Sequence, residues 1–188
     1  KVAGAVNTLL LNKALVKSGV PITEALYGDN TDGQGLVNHI VSLGWPLNGA
    51  RVALIGAGGA ARGVILPLIE AGIAHLTIAN RTLSKATALV TELSAASAAI
   101  HEQQIETCRT TELNGPFDIL INATSIGLSA DTLPLSDTLN GDYAYDMMYG
   151  RTLPFFYFFS ARGAQTSDGY GMLIGQAALS FKSWTGHT

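Results

Sequence analysis

The sequence predicts an α/β protein in which helices flank a parallel sheet. Short apolar runs typical of buried strands alternate with stretches whose apolar residues recur at helical spacing. This alternation favours parallel strands joined by right-handed crossovers. Glycine is frequent, with 21 residues among 188, as expected for a chain with many turns. Hydrophobic residues make up 47% of the chain and charged residues 13%, which is enough apolar material for a large core.

The first part of the chain contains few regular signals. We expect a strand within residues 3–11, a mixed connection over 12–27 and a polar loop, GDNTDG, over 28–33. The apolar residues of 36–43 then recur at helical spacing. Because Gly44-Trp45-Pro46 follows directly, that helix should end there.

The remainder of the chain alternates predicted strands and helices. Pro67 falls inside one predicted helix, where it should bend or weaken it because proline lacks the amide hydrogen. The strands are predicted at 52–55, 75–79, near 103–106, at 117–122 running on into 123–127, at 143–149 and at 165–166. The helices between and after them are predicted from the glycine turn to Gly72, at 84–99, at 155–161 and from about 170 to Trp184.

A glycine-rich turn follows the strand at 52–55 and indicates a Rossmann-like sheet. Gly56, Gly58 and Ala61 fit the G-x-G-x-x-G/A spacing of a dinucleotide-binding turn. Gly56 permits the tight turn, Gly58 lets the backbone approach a pyrophosphate, and Ala61 lets the next helix pack closely on the sheet. The unpaired amides at the start of that helix attract phosphate. The alternative is a glycine turn that serves packing alone.

The end of the next strand indicates which dinucleotide is bound. An NAD-binding chain usually carries an acidic residue here for the ribose 2′-hydroxyl, whereas this chain carries Arg81 and, four residues later, Lys85. Two cations bind a 2′-phosphate that a carboxylate would repel. The pattern therefore favours NADP over NAD. The alternative is that Arg81 is a solvated residue at the start of a helix.

Composition excludes several other classes of function. The net charge of −3 argues against a nucleic-acid partner. Cys108 is the single cysteine, so an internal disulfide is excluded and a reducing, cytoplasmic location is expected. No apolar run reaches the ~18 residues of a membrane span, and the four histidines show no metal-ligand spacing. We therefore expect no membrane, metal or nucleic-acid partner.

The polar loop over 28–33 has two interpretations. Its Asp, Asn, Thr and Gly residues all favour turns, so Asp29 and Asp32 could simply form Asx turns. In the other interpretation, one aspartate meets a substrate in the cleft that forms at the carboxyl ends of parallel strands. Polar residues do cluster at the predicted strand ends, namely Asn80, Arg81, Asn122, Thr124, Ser125 and Tyr149.

Seven sequence blocks together carry a resemblance to a known family. They are AGAVNT (3–8), GDNTDG (28–33), GAGGA (56–60), NRT (80–82), NATS (122–125), YDMMY (145–149) and DGYGMLIGQA (168–177). In this content and order the chain resembles the shikimate dehydrogenases over nearly its whole length. The resemblance implies NADPH-dependent reduction of 3-dehydroshikimate to shikimate, in the chorismate pathway to aromatic amino acids.

The resemblance also implies roles for individual residues. Asp32 would be one member of a catalytic Lys–Asp pair and would bind substrate. The other substrate-binding residues would be Asn7, Tyr149 and Gln176. The pyrophosphate would be held by Gly56, Ala57, Gly58, Gly59 and Ala60, and the 2′-phosphate by Asn80, Arg81, Thr82 and Lys85. The nicotinamide site would be lined by Met147 and Gly169. Without the resemblance, Met147 would be read as core packing and Gln176 as an exposed polar residue.

The sequence departs from the family pattern in ways that affect its expected activity. Family members carry a substrate-binding domain before the first block, with substrate-binding serines and the catalytic lysine, and a closing helix at the other end. The 188 residues contain neither those serines nor that lysine, and the closing helix is absent after Thr188. The stretch from Asn7 to Asp32 is also longer than the usual hairpin of the family. We expect residues 1–32 to be a remnant of that domain, 33–168 to be the NADP-binding domain, and 169–188 to form a helix that returns towards the substrate domain.

Two alternatives to a working NADP-dependent enzyme stay open at this point. A missing general acid–base typically costs about 10²–10⁴ in rate, so the chain should bind NADP(H) better than it turns over. One alternative is therefore a non-catalytic nucleotide-binding fragment. The other is a quinate/shikimate dehydrogenase that uses NAD, against which Arg81 and Lys85 argue. A monomer and a homodimer are both compatible with the sequence.

Overall fold

The computed structural model describes residues 4–102, 105–125, 134–151 and 153–187. A single 3₁₀ turn at Thr110–Glu112 accompanies its helices and strands. The strands are β1 (Thr8–Leu11), β2 (Leu26–Asp29), β3 (Arg51–Ile55), β4 (His75–Asn80), β5 (Ile105–Arg109), β6 (Pro116–Asn122), β7 (Asn140–Asp146) and β8 (Gln165–Ser167). The helices are α1 (Lys13–Lys17), α2 (Asp32–Ser42), α3 (Gly59–Glu70), α4 (Leu83–Ala96), α5 (Ala98–Glu102), α6 (Pro154–Ser160) and α7 (Tyr170–Thr185).

Six of the strands form one parallel sheet in the order β5-β4-β3-β6-β7-β8. Along the chain, β4 and β5 are added on one side of β3, and β6, β7 and β8 are then added on its other side. This is the order of a doubly wound dinucleotide-binding sheet, in which ligands bind at the carboxyl ends of the strands where the order reverses. The predicted α/β fold with a Rossmann-like parallel sheet is confirmed.

The strand β3 lies at the centre of the sheet and is buried on both faces. Val52 and Leu54 belong to a core that also contains side chains of α2, α3, α4 and α7. Ala53 and Ile55 face the opposite core, which α6 covers with two phenylalanines. Because side chains alternate between the faces of a strand, an apolar run of four residues is what a strand covered on both faces needs.

The beginning of the chain differs from the prediction. Where we expected one strand, a connection and a polar loop, β1 and β2 form an antiparallel hairpin that is separate from the six-stranded sheet. The short helix α1 lies between them, and the Asn12 side chain caps it by accepting from the amides of Ala14 and Leu15. Strand β2 includes Asp29, which the prediction assigned to the loop. Strand β2 pairs with β1 across the intervening helix α1, so the residues of β2 alone do not indicate this pairing.

Pro67 does not interrupt α3, which runs from Gly59 to Glu70. The proline withholds an amide hydrogen from the carbonyl of Gly63, four residues earlier. A Cβ added at Gly33 of α2 would collide with that same carbonyl and with the ring of Pro67. The proline side of α3 is therefore where α2 makes its closest approach, and the helix is supported there by packing.

Other predicted segments are displaced by a few residues. The strand predicted at 143–149 is β7 and ends at Asp146, and the helix predicted over 84–99 is interrupted because Ser97 is extended between α4 and α5. Strand β5 (Ile105–Arg109) ends three residues beyond its predicted end at 106. Residues 3, 103–104 and 126–127 of the predicted segments lie outside the described residues.

Candidate active site

A cleft of about 1120 Å³ opens at the carboxyl ends of the central strands. Its walls come from the ends of β3, β4, β6 and β7 and from the first turns of α2 and α7. Of the residues to which the sequence assigned a role, it is lined by Asp32, Gly56, Ala57, Gly58, Gly59, Ala60, Asn80, Arg81, Met147, Tyr149, Gly169 and Gln176. Asn7, Thr82 and Lys85 are the assigned residues that do not line it. The cleft therefore unites elements from both ends of the chain.

The glycine turn forms the floor of this cleft. Gly56 has φ +118°, a conformation that favours glycine, and its amide donates to the carbonyl of Ala79 at 2.7 Å. A Cβ at Gly58 would meet nothing within 4 Å, so the turn presents open space there. No side chain caps the start of α3. The first amides of α3 are therefore available to an anion in the cleft.

The loop after β4 carries the predicted phosphate-binding residues. The Asn80 side-chain amide donates to the carbonyl of Thr82 at 2.8 Å, which folds the loop back on itself. Arg81 is exposed and lines the cleft, whereas Thr82 faces a shallower neighbouring depression of about 750 Å³. Lys85 is exposed in the first turn of α4 and lines neither. The loop thus presents Arg81 to the cleft directly, with Lys85 one turn further away.

A network of buried polar side chains lies at the ends of β6 and β7, on the other side of β3 from the Arg81 loop. Asn122 and Asp146 are 0% and 1% exposed, and the Asn122 amide donates to the Asp146 carboxylate at 3.1 Å. The Asn122 carbonyl oxygen accepts from the amide and hydroxyl of Thr124 at 3.1 and 2.6 Å. The other carboxylate oxygen of Asp146 accepts from the amide of Met148 at 3.0 Å. These contacts orient the loops that follow β6 and β7.

Burial raises the pKa of Asp146 from 3.8 to about 6. The hydrogen bonds from Met148 and Asn122 stabilise the ionised form and limit this rise, while the charge of Asp168 adds to it. The sequence drew attention to Asn122 as a polar residue at a strand end, but it did not draw attention to Asp146. The two residues are partners in the register of β6 and β7, which only the strand order brings together.

The loop after β7 also depends on close backbone contact with the start of α7. The Gly169 amide donates to the carbonyl of Met148 at 2.9 Å. A Cβ at Gly169 would collide with the carbonyl of Met147, so a larger residue there would displace the loop. Met147 and Gly169 therefore lie in direct backbone contact on one wall of the cleft.

A second set of polar side chains meets at the opposite end of the cleft. The Asn7 amide donates to Asp32 at 2.9 Å and lies 3.3 Å from the Gln176 side-chain oxygen. The Asn7 side-chain oxygen accepts from the amide of Thr31 at 3.1 Å. Asn7 does not line the cleft, but it contacts two residues that do. Three segments far apart in the sequence thus converge on one cluster.

Buried hydroxyl groups form hydrogen bonds with one another next to this cluster. Thr8 and Ser180 are 0% and 4% exposed, and their hydroxyls lie 2.6 Å apart. The Ser180 hydroxyl also lies 3.1 Å from that of Thr31, which in turn donates to the Gln176 carbonyl at 3.1 Å. The helices α2 and α7 approach closely here, because a Cβ at Gly35 would lie 2.8 Å from the amide of Gln176. The glycine lets α7 carry Gln176 to the cleft.

The two interpretations of the polar loop over 28–33 apply to different residues of that loop. Asp29 accepts from the amide of Asn30 at 2.8 Å and does not line the cleft. Asn30 in turn accepts from the amide of Asp32 at 3.1 Å, as in an Asx turn. The Asp32 carboxylate instead faces the cleft and Asn7. The loop therefore contains both a turn and a cleft residue.

The cleft has further lining residues to which the sequence assigned no role. They are Thr110, Ala123, Thr124, Ser125, Pro134, Met148, Met172 and Leu173. Thr124 and Ser125 were recognisable as polar residues after a strand, but the others carry no local signal because they reach the cleft from separate elements. Among the described residues, no group of histidine, cysteine and acidic side chains has the geometry of a metal site. None of the described helices has the length and hydrophobicity needed to cross a membrane.

Comparison with known proteins assigns the family. The family model described as Shikimate / quinate 5-dehydrogenase matches residues 36–129, which include the glycine turn and the Arg81 loop. The chain belongs to this family. A second model, described as Shikimate 5'-dehydrogenase C-terminal domain, matches residues 169–188. The resemblance inferred from the seven sequence blocks is thereby confirmed.

Individual proteins resemble the chain over nearly all of its length. The shikimate dehydrogenase (NADP(+)) of Psychrobacter arcticus is 77% identical over 187 residues, which cover 100% of this chain and 65% of that protein. The crystal structure of an Ael1 enzyme from Pseudomonas putida is 39% identical with a TM-score of 0.83, covering 99% of this chain and 65% of the other.

A further solved family member is described with both ligands. The shikimate 5-dehydrogenase from Thermus thermophilus, in complex with NADP(H) and shikimate, is 31% identical with a TM-score of 0.75 and covers 98% of this chain and 64% of the other. The chain thus spans just under two thirds of the length of these three proteins.

Proposed function

We propose that this chain provides the nucleotide-binding part, and some substrate contacts, of an NADP(H)-dependent enzyme that reduces 3-dehydroshikimate to shikimate. One observation carries the proposal. A single cleft joins the glycine turn and Arg81 at one end to Asp32, with its partners Asn7 and Gln176, at the other. A dinucleotide spans such a cleft with its phosphates at the helix terminus. The names of the relatives, NADP-dependent shikimate dehydrogenases, support the same assignment.

The residues present fit the dinucleotide. The open space at Gly58 and the uncapped start of α3 suit a pyrophosphate. Arg81 and Lys85 suit the 2′-phosphate, with Asn80 and Thr82 shaping their loop. When bound, the reduced nicotinamide supplies the hydride for reduction of a carbonyl.

The wall formed by Met147 and Gly169 would set the nicotinamide depth in the cleft. Their backbones are in direct contact, and Met147 lines the cleft beside Tyr149. This wall would exclude water and hold the reacting face towards Asp32, which is the positioning task of the protein in such a reaction.

The polar cluster at the other end would bind the substrate and move its proton. Asp32, Asn7, Gln176 and Tyr149 would hydrogen-bond the hydroxyl groups of shikimate. Asp32 would act with a lysine, yet among the described residues Asp32 forms no ion pair with any lysine. We therefore expect these 188 residues to bind NADP(H) more readily than they turn over substrate, since a general acid–base contributes about 10²–10⁴ in rate.

Two structural observations agree with the proposed division into domains. Residues 1–32 would belong to the substrate domain, which agrees with a hairpin that forms its own two-stranded sheet. Residues 33–168 would be the NADP-binding domain, and 169–188 would lead back, which agrees with the Trp184 side chain donating to the carbonyl of Leu9 at 3.0 Å. The cytoplasmic location, the pathway and the choice between monomer and homodimer stay predictions.

Cofactor preference tests the first half of the proposal. Isothermal titration of the chain should give tighter binding of NADP⁺ than of NAD⁺. Arg81→Glu should weaken NADP⁺ selectively, because a carboxylate repels the 2′-phosphate. Lys17→Glu makes the same change of charge on the exposed helix α1 and should leave both affinities unchanged. Equal affinities in the unmodified chain would refute the NADP assignment and favour an NAD-dependent relative.

Turnover tests the second half. NADP⁺-linked oxidation of shikimate, followed at the absorbance of NADPH, should be weak but measurable and should fall further in Asp32→Asn. Quinate in place of shikimate distinguishes the two substrates of the family. If the chain binds NADP⁺ and shows no turnover with either, it is a non-catalytic nucleotide-binding module. Turnover unaffected by Asp32→Asn would remove Asp32 from the mechanism.

A further inference from the structure

A third cation, after Arg81 and Lys85, lies beside the loop that carries Arg81. Arg109 is the last residue of β5 and is paired in register with Asn80, the last residue of β4. Its terminal nitrogen Nη1 lies 3.5 Å from the carbonyl oxygen of Arg81. The next residue, Thr110, lines the cleft. The neighbouring strand thus delivers a cation to the edge of the predicted phosphate site.

The surroundings of Arg109 leave its charge largely available. Its side chain is 55% exposed. One carboxylate competes for it, since Glu112 lies 3.9 Å from the guanidinium Nε and mainly accepts from the Arg109 backbone amide, at 3.0 Å. Arg109 also lines the shallow depression next to the cleft, together with Thr82 and the first turns of α4.

Apart from Glu112, the acidic side chains described around this place do not oppose an anion. The first turn of α4 contains none. Glu92, the acidic residue that lines the depression, is paired with Arg62 at 2.6 Å. The local field therefore favours a phosphate between Arg81 and Arg109.

We infer that Arg109 is a specificity-determining residue that binds the 2′-phosphate of NADP(H) together with Arg81 and Lys85. The inference rests on the proposed function and adds to it a contact from β5, outside the loop that follows β4. A guanidinium presents several N–H groups in a planar fork that matches phosphate oxygens. Two such forks, one at the end of β5 and one in the loop that follows β4, bind one phosphate from two sides, while Glu112 limits how strongly Arg109 takes part.

Titration calorimetry of three ligands tests this role. The ligands are NADP⁺, NAD⁺ and adenosine 2′,5′-bisphosphate, which carries the phosphate without the nicotinamide. Arg109→Gln should weaken NADP⁺ and the bisphosphate by about three- to tenfold, the effect of losing one half-exposed charged hydrogen bond. The affinity for NAD⁺ should stay the same. Arg109→Lys should retain part of the preference for NADP⁺ because the positive charge remains. It should lose the other part because the planar fork of the guanidinium is absent.

Two further variants sharpen the result. Glu112→Gln keeps an oxygen for the Arg109 backbone amide and removes the competing charge, so NADP⁺ should bind more tightly. Arg51→Gln is the matched control, because Arg51 begins β3 at the amino-terminal end of the parallel strands, whereas the cleft lies at their carboxyl ends, and its side chain donates to the carbonyl of Pro116. It should change none of the three affinities. Thermal unfolding of each variant verifies that it is folded.

The outcomes separate this inference from the proposed function. If the unmodified chain prefers NADP⁺ and Arg109→Gln keeps that preference in full, the role of Arg109 is refuted and the NADP assignment stands. Equal weakening of NADP⁺ and NAD⁺ in Arg109→Gln also refutes it, because the contact would then not be to the 2′-phosphate. If the unmodified chain binds NADP⁺ and NAD⁺ alike, the proposed cofactor and this inference both fail.

Discussion

The buried carboxyl of Asp146 should make the stability of the protein depend on pH. It is 1% exposed at the end of β7 and accepts hydrogen bonds from Asn122 and Met148. Among the described ion pairs, none involves it. Burial raises its pKa from 3.8 to about 6, so the folded protein binds a proton that the unfolded chain has already released.

The size and sign follow from the linkage between proton binding and folding. Between about pH 4 and pH 6 the folded state holds the proton and the unfolded state does not, so the free energy of unfolding falls as the pH rises. The raised pKa amounts to about 2 units, which corresponds to about 3 kcal/mol in total. Below this window both states are protonated and the cost is absent. Above it both are ionised and the cost is fully present.

Urea unfolding of the protein and of Asp146→Asn at several values between pH 4 and pH 7 measures this term. The difference in unfolding free energy, unmodified minus variant, should fall by about 3 kcal/mol across the window. Asparagine cannot satisfy both Met148 and Asn122, so the variant also carries a cost, but that cost does not vary with pH. Asp142→Asn, an exposed change on the same strand, should keep the original pH dependence.

A difference that stays constant from pH 4 to pH 7 would refute this reasoning. Titration of the Asp146 carboxyl carbon by NMR gives the same answer without any variant. A midpoint near 4 in the folded protein would mean that the carboxyl is not destabilised by burial.

Four further changes test how three glycines and one buried hydroxyl build the cleft. Gly58→Ala should keep the unfolding temperature, because its Cβ meets no atom, yet it should weaken NADP⁺ in calorimetry by obstructing the pyrophosphate; unchanged affinity would contradict this. Gly169→Ala should lower the free energy of unfolding by about 1–3 kcal/mol and also the affinity for NADP⁺, because its Cβ collides with the Met147 carbonyl. A variant as stable as Gly58→Ala would contradict this. Gly35→Ala, whose Cβ would lie 2.8 Å from the α7 backbone, should destabilise by about 1–3 kcal/mol in urea unfolding, and a neutral result would show that the helices separate freely. Ser180→Ala removes the hydroxyl that joins β1 to the start of α2 and should cost about 1–3 kcal/mol; thermal unfolding equal to that of the unmodified protein would show that water replaces it.

The central strands were predictable because their signals are local. A strand buried on both faces is a short apolar run, and β3, β4 and β6 all have one. The end of β7 was not predictable in this way. Met147 and Met148 prolong the apolar run, yet the Asp146 carboxylate accepts from the Met148 amide and turns the chain. Strand β2 was missed because its pairing with β1 is made across the intervening helix α1 and is not marked by an apolar run of its own.

The prediction of the site divides in the same manner. Asn7 and Gln176 lie 169 residues apart along the chain, and their meeting beside Asp32 follows from the packing of α7 on α2. The resemblance to a family, rather than any spacing, indicated that these residues belong together. Arg109 was not indicated at all, since nothing in its own segment distinguishes it from a solvated arginine.

The sequence by itself determined the fold class and the end of the cleft that contains the glycine turn and Arg81. A turn that presents its own backbone amides, and a strand that ends in Arg81, are contiguous segments whose geometry is set by residues a few positions apart. Only the tertiary structure decided the polar cluster of Asn7, Asp32 and Gln176 at the other end and the wall of Asn122 and Asp146. Those side chains come from distant segments, and only strand order and helix packing bring them within hydrogen-bond distance of each other.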